Sequence, residues 1–153
     1  MKFSEIIGPD QVILDLKATD RWVAIEELVN ILVAKKYIEA WRRESVIQAV
    51  NNREKTMSTG IGFGIAIPHA STDAITKVTA IFARSPHGIN FFSLDNQPVK
   101  IIVLFLVPAG QYQQHLKTLA SISRFLNDRE FREQVEQVKT PVELHQLILK
   151  REG

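Results

Sequence analysis

The sequence predicts an α/β fold: a single domain over residues 1–153 with a sheet sandwiched between helices. Three observations lead there. Strand-like and helix-like segments alternate along the chain. The run Val99–Val107 is apolar on both faces apart from Lys100, as expected of a central strand covered on both sides. No Gly/Ser/Pro-rich linker, low-complexity tract or internal repeat divides the chain. At 153 residues the domain buries roughly 70% of the surface its unfolded chain would expose, so it needs no metal or disulfide staple.

The elements follow in order. Val12–Leu16 is short and β-branched at its start and reads as a strand. Thr19 or Asp20 then supplies a helix N-cap. Ile25, Leu28, Val29, Leu32 and Val33 recur at the spacing of a helix lying on a core. A second helix spans about Ala40 to Asn52 and is expected to bury Trp41, Val46, Ala49 and Val50. Val78–Ala83 alternates as a strand does. Ile89–Phe92 reads as another, joined through the Asp95-Asn96-Gln97-Pro98 turn to Val99–Val107. Pro108-Ala109-Gly110 ends that strand. A helix from Tyr112 to Leu126 follows, broken at Asn127-Asp128. A short helix then sets Phe131, Val135 and Val138 on one side. The last helix opens with Thr140 as cap, Pro141 at its first position and Glu143 completing a capping box.

Composition excludes several classes. There is no cysteine, hence no disulfide, thiolate zinc site or cysteine nucleophile. Nineteen basic and seventeen acidic residues are interspersed, with no dense basic stripe for nucleic acid. The longest strongly apolar run, Ile101–Val107, falls far short of the roughly 20 residues of a membrane span, and the N-terminus has no signal-peptide run. A cytoplasmic protein with no direct membrane insertion is expected.

Residues 58–70, STGIGFGIAIPHA, are the most constrained stretch. Gly60, Gly62 and Gly64 have the spacing G-x-G-x-G, followed by Ile-Ala-Ile-Pro rather than a helix, and there is no G-K-[ST] tail. Phosphate-cradling nucleotide loops are thereby excluded. A bulged or closely packed strand is one reading of the glycines. The other rests on where they lead. Pro68 fixes its own φ and biases Ile67 to extended geometry, so the approach to His69 is stiff and sets that side chain shallow and fixed. Phe63, between two of the glycines, is either an exposed partner contact or a core residue.

Four histidines are candidates: 69, 87, 115 and 145. His145 reads as structural or surface, and His87 as a solvated turn residue. His115 shares a helix face with Tyr112, Leu119 and Ala120 and is expected to point toward the sheet, just after the central strand ends, where open α/β sheets place ligands. Its alternative is a satisfied core histidine. Arg53 ends the second helix before the glycine segment, either as a functional cation or as an exposed complement to the helix dipole. Two histidines and an arginine without acidic neighbours favour an anion over a metal, and no metal-ligand spacing is present. No metal and no cofactor is expected.

Arg53-Glu54, Ser58-Thr59-Gly60-Ile61-Gly62 and Gly64-Ile65-Ala66-Ile67-Pro68-His69 resemble the active-site signature of enzyme IIA of the fructose/mannitol/nitrogen class. That class belongs to the bacterial phosphoenolpyruvate-dependent phosphotransferase system. Gln97-Pro98-Val99, Leu106-Val107-Pro108 and His115-Leu116 with Leu119-Ala120 extend the likeness from about Phe3 to Leu149. The resemblance implies a mixed sheet and a phosphohistidine at His69 Nε2, with Arg53 and His115 flanking the phosphoryl group and Thr59 as a further neighbour. It implies the histidine-containing phosphocarrier protein as donor and a separate IIB protein as acceptor, in sugar uptake. A nitrogen-type branch is the alternative, in which phosphorylation controls binding to a regulatory target.

Overall fold

A computed structural model of the protein describes residues 1–153. Its six helices are α1 (Phe3–Ile6), α2 (Arg21–Ala34), α3 (Arg43–Thr56), α4 (Leu116–Asn127), α5 (Arg129–Gln137) and α6 (Pro141–Glu152). Its six strands are β1 (Val12–Ile13), β2 (Gly60–Gly62), β3 (Ile65–Ala66), β4 (His69–Thr72), β5 (Thr79–Ile89) and β6 (Val99–Pro108). They form one mixed sheet in the order β1-β5-β6-β3-β2, with β4 also on β6. The β1–β5, β3–β6 and β4–β6 pairs are parallel; β5–β6 and β2–β3 are antiparallel. The expected mixed α/β sandwich is present.

Strand β6 explains the layering. Because side chains alternate across a strand, Ile102, Leu104 and Leu106 join a core with the apolar stripes of α2 and α3. Ile101, Val103, Phe105 and Val107 join a second core with residues of α1, α4, α5 and α6. Both faces are buried, so the whole run is apolar.

Side chains cap α2 and α6, though the capping box expected at Thr140 and Glu143 is only half formed. Asp20, rather than Thr19, caps α2: its carboxylate accepts from the Val23 N–H at 2.9 Å. At α6 the Thr140 hydroxyl accepts from the Glu143 N–H at 3.1 Å, while the Glu143 carboxylate reaches one residue further back, to the Lys139 N–H at 3.0 Å.

Several expectations need correction. Trp41 is not buried but 72% exposed, because Ala40–Arg42 is a separate 3-10 turn ahead of α3 and the Arg42 guanidinium lies over the indole, 4.4 Å from the ring centroid. Ile89–Phe92 is not a strand of its own. Strand β5 runs on to Ile89 through a register shift against β6 after Arg84, and Phe92 leaves the sheet with φ 54°. His87 consequently lies within β5, its Nε2 2.9 Å from the Ala18 carbonyl. The helix expected from Tyr112 begins as a 3-10 turn, Gln113–His115, before α4. Its buried side carries Thr118, Ile122 and Leu126, and Ala120 is exposed.

The glycine segment is both a bulged hairpin and the approach to His69. Strands β2 and β3 pair with an irregularity between Gly60 and Gly62. Gly62, Phe63 and Gly64 all have positive φ (94°, 58° and 78°), the tight reversal that glycine permits. Gly60 serves close approach instead: a Cβ there would lie 2.1 Å from Ser93 Oγ.

Candidate functional site

Strands β3 and β4 lie one after the other along the same edge of β6 and keep one register, Ile65 against Ile101 and His69 against Phe105. Between them Pro68 has no N–H to give, yet its carbonyl still accepts from the Phe105 N–H at 3.0 Å. The proline therefore interrupts the ladder without breaking the strand's course. His69 is delivered to the Phe105 face of the sheet, and Ala70 to the opposite face.

His69 is not shallow, as its stiff approach suggested; only 8% of it is exposed. Its Nδ1 lies 2.8 Å from the Ile67 carbonyl. A carbonyl only accepts, so Nδ1 carries the proton and Nε2 holds the free lone pair. Burial, which disfavours the imidazolium, is the main cause that depresses the His69 pKa. The Ile67 carbonyl opposes it, the Arg53 charge adds to it, and Glu54 opposes it weakly. The ring is thus a neutral imidazole, fixed in one tautomer, with Nε2 as its nucleophilic atom.

The end of α3 supplies the charges. Arg53 is half-buried and one guanidinium nitrogen donates to the Met57 carbonyl at 2.8 Å, holding the chain as it leaves the helix. Glu54, only 1% exposed, accepts from the Thr59 N–H at 3.0 Å, the Thr59 hydroxyl at 2.5 Å and Arg21 at 3.3 Å. Arg21 in turn lies between Trp22 and Phe92, 4.3 and 4.7 Å from their ring centroids. A buried carboxylate of this kind needs such partners. Thr59 is buried and spends both its donors on Glu54. Its carbonyl accepts from the Ile67 N–H at 3.1 Å, which completes the link from α3 through the glycine segment to the His69 approach.

From the other side comes the turn after β6. Tyr112 stacks on His69 with centroids 6.0 Å apart and planes 12° from parallel. Its hydroxyl donates toward Nε2 at 3.5 Å. His115 follows within the same 3-10 turn, its N–H bonded to the Tyr112 carbonyl; its ring is half-buried and makes no hydrogen bond. The expectation of a set without acidic neighbours fails at Glu54. No three His, Asp or Glu side chains are grouped to hold a metal ion.

Three participants escaped the sequence reading as site residues: Glu54, Arg21 and Tyr112. Glu54 carried a signal, since it extends the Val46–Val50 spacing of the buried α3 face by another four residues. Phe63 is 69% exposed and so not core, but it sits at the hairpin tip over Arg132. The adjacent Gly64 carbonyl bonds the Lys100 and Ile101 N–H groups, four to five register steps from Phe105, on the order of 15 Å along the strand.

Fold and site together define a class: a mixed α/β domain that holds a buried, neutral imidazole with its Nε2 unprotonated. Residues 5–151 match the family described as "Phosphoenolpyruvate-dependent sugar phosphotransferase system, EIIA 2", and the chain belongs to that family. It is 41% identical over 112 residues to the "PTS system fructose-specific EIIA component" of Haloferax volcanii, covering 73% of this chain and 71% of that one. The crystal structure of nitrogen regulatory protein IIA-Ntr from Neisseria meningitidis matches with a TM-score of 0.85 and 26% identity, over 95% of this chain and 97% of that one. The Escherichia coli structure of enzyme IIAMTL in complex with phosphorylated enzyme IIBMTL shares the fold, with a TM-score of 0.78 and 23% identity, over 95% of this chain and 98% of that one. No helix is long and apolar enough to cross a membrane.

Proposed function

We propose that this chain is a cytoplasmic phosphoryl carrier for sugar uptake that takes its phosphoryl group on His69 Nε2 from the histidine-containing phosphocarrier protein. The observation that carries this reading is the Nδ1–Ile67 bond, which leaves Nε2 unprotonated in a neutral, immobilised ring. In the transfer the Nε2 lone pair attacks the donor's phosphorus. The donor's N–P bond breaks and its electron pair returns to the donor imidazole, while a new N–P bond forms on His69. Each imidazole keeps the proton on its other nitrogen, so no base is required, and the protein's task is positioning and charge stabilisation. The reverse step, with a separate IIB protein as acceptor, discharges the group. Membership of the family and the IIA–IIB complex formed by the structural neighbour support that partner.

Arg53 and His115 would flank the phosphoryl group, Arg53 through the N–H groups that Met57 does not use and His115 through its unbonded ring. Thr59 contributes mainly by pinning the segment to Glu54, since a bond to the phosphoryl group requires its hydroxyl to leave that carboxylate. His115→Ala is expected to slow uptake about tenfold with little change in Tm, the scale of one charge-assisted hydrogen bond. A variant with wild-type rates returns His115 to a structural role.

A modest, quickly reversible interface suits a relay. About 800 Å² on one partner corresponds to a patch roughly 16 Å in radius, which puts Phe63 at its rim rather than its centre. Phe63→Ala is expected to raise the apparent KM for the phosphocarrier a few-fold and leave Tm nearly unchanged. A KM equal to wild type removes Phe63 from the docking surface.

A regulatory reading stands beside the transport one because IIA-Ntr from Neisseria meningitidis matches over nearly the full length. Incubation with phosphoenolpyruvate, enzyme I and the phosphocarrier, followed by intact-mass measurement, tests the carrier chemistry common to both. No mass gain refutes it. Onward transfer to a IIB protein then separates the two, since the regulatory reading expects phosphorylation without it.

A further inference from the structure

Tyr112 lies where the phosphoryl group must come. Nε2 is the only ring nitrogen of His69 with a lone pair to offer, and the Tyr112 hydroxyl stands 3.5 Å in front of it. That gap holds no third heavy atom. A phosphorus bonded to Nε2 brings its oxygens into the space the phenol now borders. The phenol therefore moves aside by a short distance, and no hydrogen bond to another residue holds its hydroxyl in place. Its hydroxyl makes no bond other than the long one to Nε2, the residue is 37% exposed, and its backbone belongs to a single 3-10 turn just after Gly110.

Building on the phosphohistidine reading above, we propose that Tyr112 is a further catalytic residue, a neutral hydrogen-bond donor to the phosphoryl group on His69. In the resting chain its hydroxyl lies 3.5 Å from Nε2, which holds the free lone pair, at the outer limit of a hydrogen bond. Once Nε2 is phosphorylated that lone pair is consumed, and the O–H turns to a phosphoryl oxygen. An O–H to an anionic oxygen is shorter and about twice as strong as a bond between neutral groups. The bond therefore tightens as the group arrives, favouring the bound phosphoryl over the empty imidazole. Stacking at 12° between the rings keeps the phenol on the Nε2 side through the exchange. The donor adds no positive charge to a pocket where burial, and then the Arg53 charge, already depress the His69 pKa, so it stabilises the product without burying another cation.

The test is Tyr112→Phe, which keeps the stacking ring and removes only the hydroxyl. Wild type and variant are equilibrated with phosphoenolpyruvate, enzyme I and the phosphocarrier. The phosphorylated fraction is read by intact mass, spontaneous hydrolysis is followed after isolation, and the 31P resonance of the phosphohistidine is recorded. The expected result is an unchanged Tm, an equilibrium shifted about tenfold toward the phosphocarrier, faster hydrolysis and a displaced 31P resonance. A merely structural tyrosine moves none of the last three. Equilibrium, hydrolysis and resonance identical to wild type overturn the proposal. So does a variant that accepts phosphate faster but holds it equally well, since the hydroxyl is then only a cover over Nε2. If the wild-type chain itself takes no phosphate, the phosphohistidine reading falls and this one falls with it; a phosphorylated wild type with an indifferent variant refutes Tyr112 alone.

Discussion

His69→Ala is expected to take up no phosphoryl group under conditions that load one onto each wild-type chain, and the wild-type modification should be acid-labile and base-stable, as phosphoramidates are. No other histidine substitutes for it. His87 bonds Ala18 within β5, and His145 lies half-buried on α6. His115 lacks the carbonyl partner that fixes the His69 tautomer. Because His69 is buried, alanine also leaves the Ile67 carbonyl without its donor, at a cost of about 1–3 kcal/mol. His69→Gln, which keeps a side-chain donor, is the companion variant: it should fold more nearly as wild type does and still accept no phosphate. Stoichiometric labelling of either variant ends the assignment.

The same residue gives the protein a pH signature. The folded-state pKa of His69 lies below its ordinary value of 6.5, chiefly through burial. The unfolded chain thus binds the proton more readily than the folded one. The linked stability is fully present above pH 6.5 and is lost as pH falls from there through the depressed folded pKa. His69→Gln removes that linkage, so its Tm should fall less steeply than wild type below pH 6.5. For the same reason wild-type uptake should persist to lower pH than a free imidazole allows.

What the sequence disclosed depended on how local the cause was. Caps, the apolar β6 run and the stiff glycine approach are set within a few residues, and each was legible. The depth of His69 was not, because it depends on Phe105 across the sheet and on Tyr112 after β6, forty-three residues away in sequence. Trp41 and Phe92 were misplaced for one reason: apolar character cannot distinguish a buried side chain from one that stacks on an arginine at the surface. Arg42 and Arg21 provide those stacks. Glu54 lies beyond the Asn52 end that the sequence suggests for the second helix, and its burial depends on the hydrogen bonds of Thr59 and Arg21.

Arg53→Lys should be the most damaging substitution outside the nucleophile itself. The arginine has two tasks at once. One N–H holds the Met57 carbonyl at 2.8 Å, fixing the chain between α3 and the glycine segment, and the rest of the fork remains for phosphoryl oxygens. Lysine keeps the charge but has a single ammonium on a flexible stem. It cannot bond Met57 and grip two phosphoryl oxygens in the same plane. Losing one or two charge-assisted bonds in the transition state corresponds to about 2–3 kcal/mol, roughly a 30- to 150-fold slower transfer. The loss should appear in kcat, with KM for the phosphocarrier near wild type, because the planar grip matters most when charge spreads over the transferring oxygens. Rapid-quench measurement of single-turnover transfer reads that rate directly, and the melting curve shows whether loosening Met57 has spread into the fold. A lysine variant that transfers at the wild-type rate would mean that charge alone suffices at this position, and the bidentate role would have to be withdrawn.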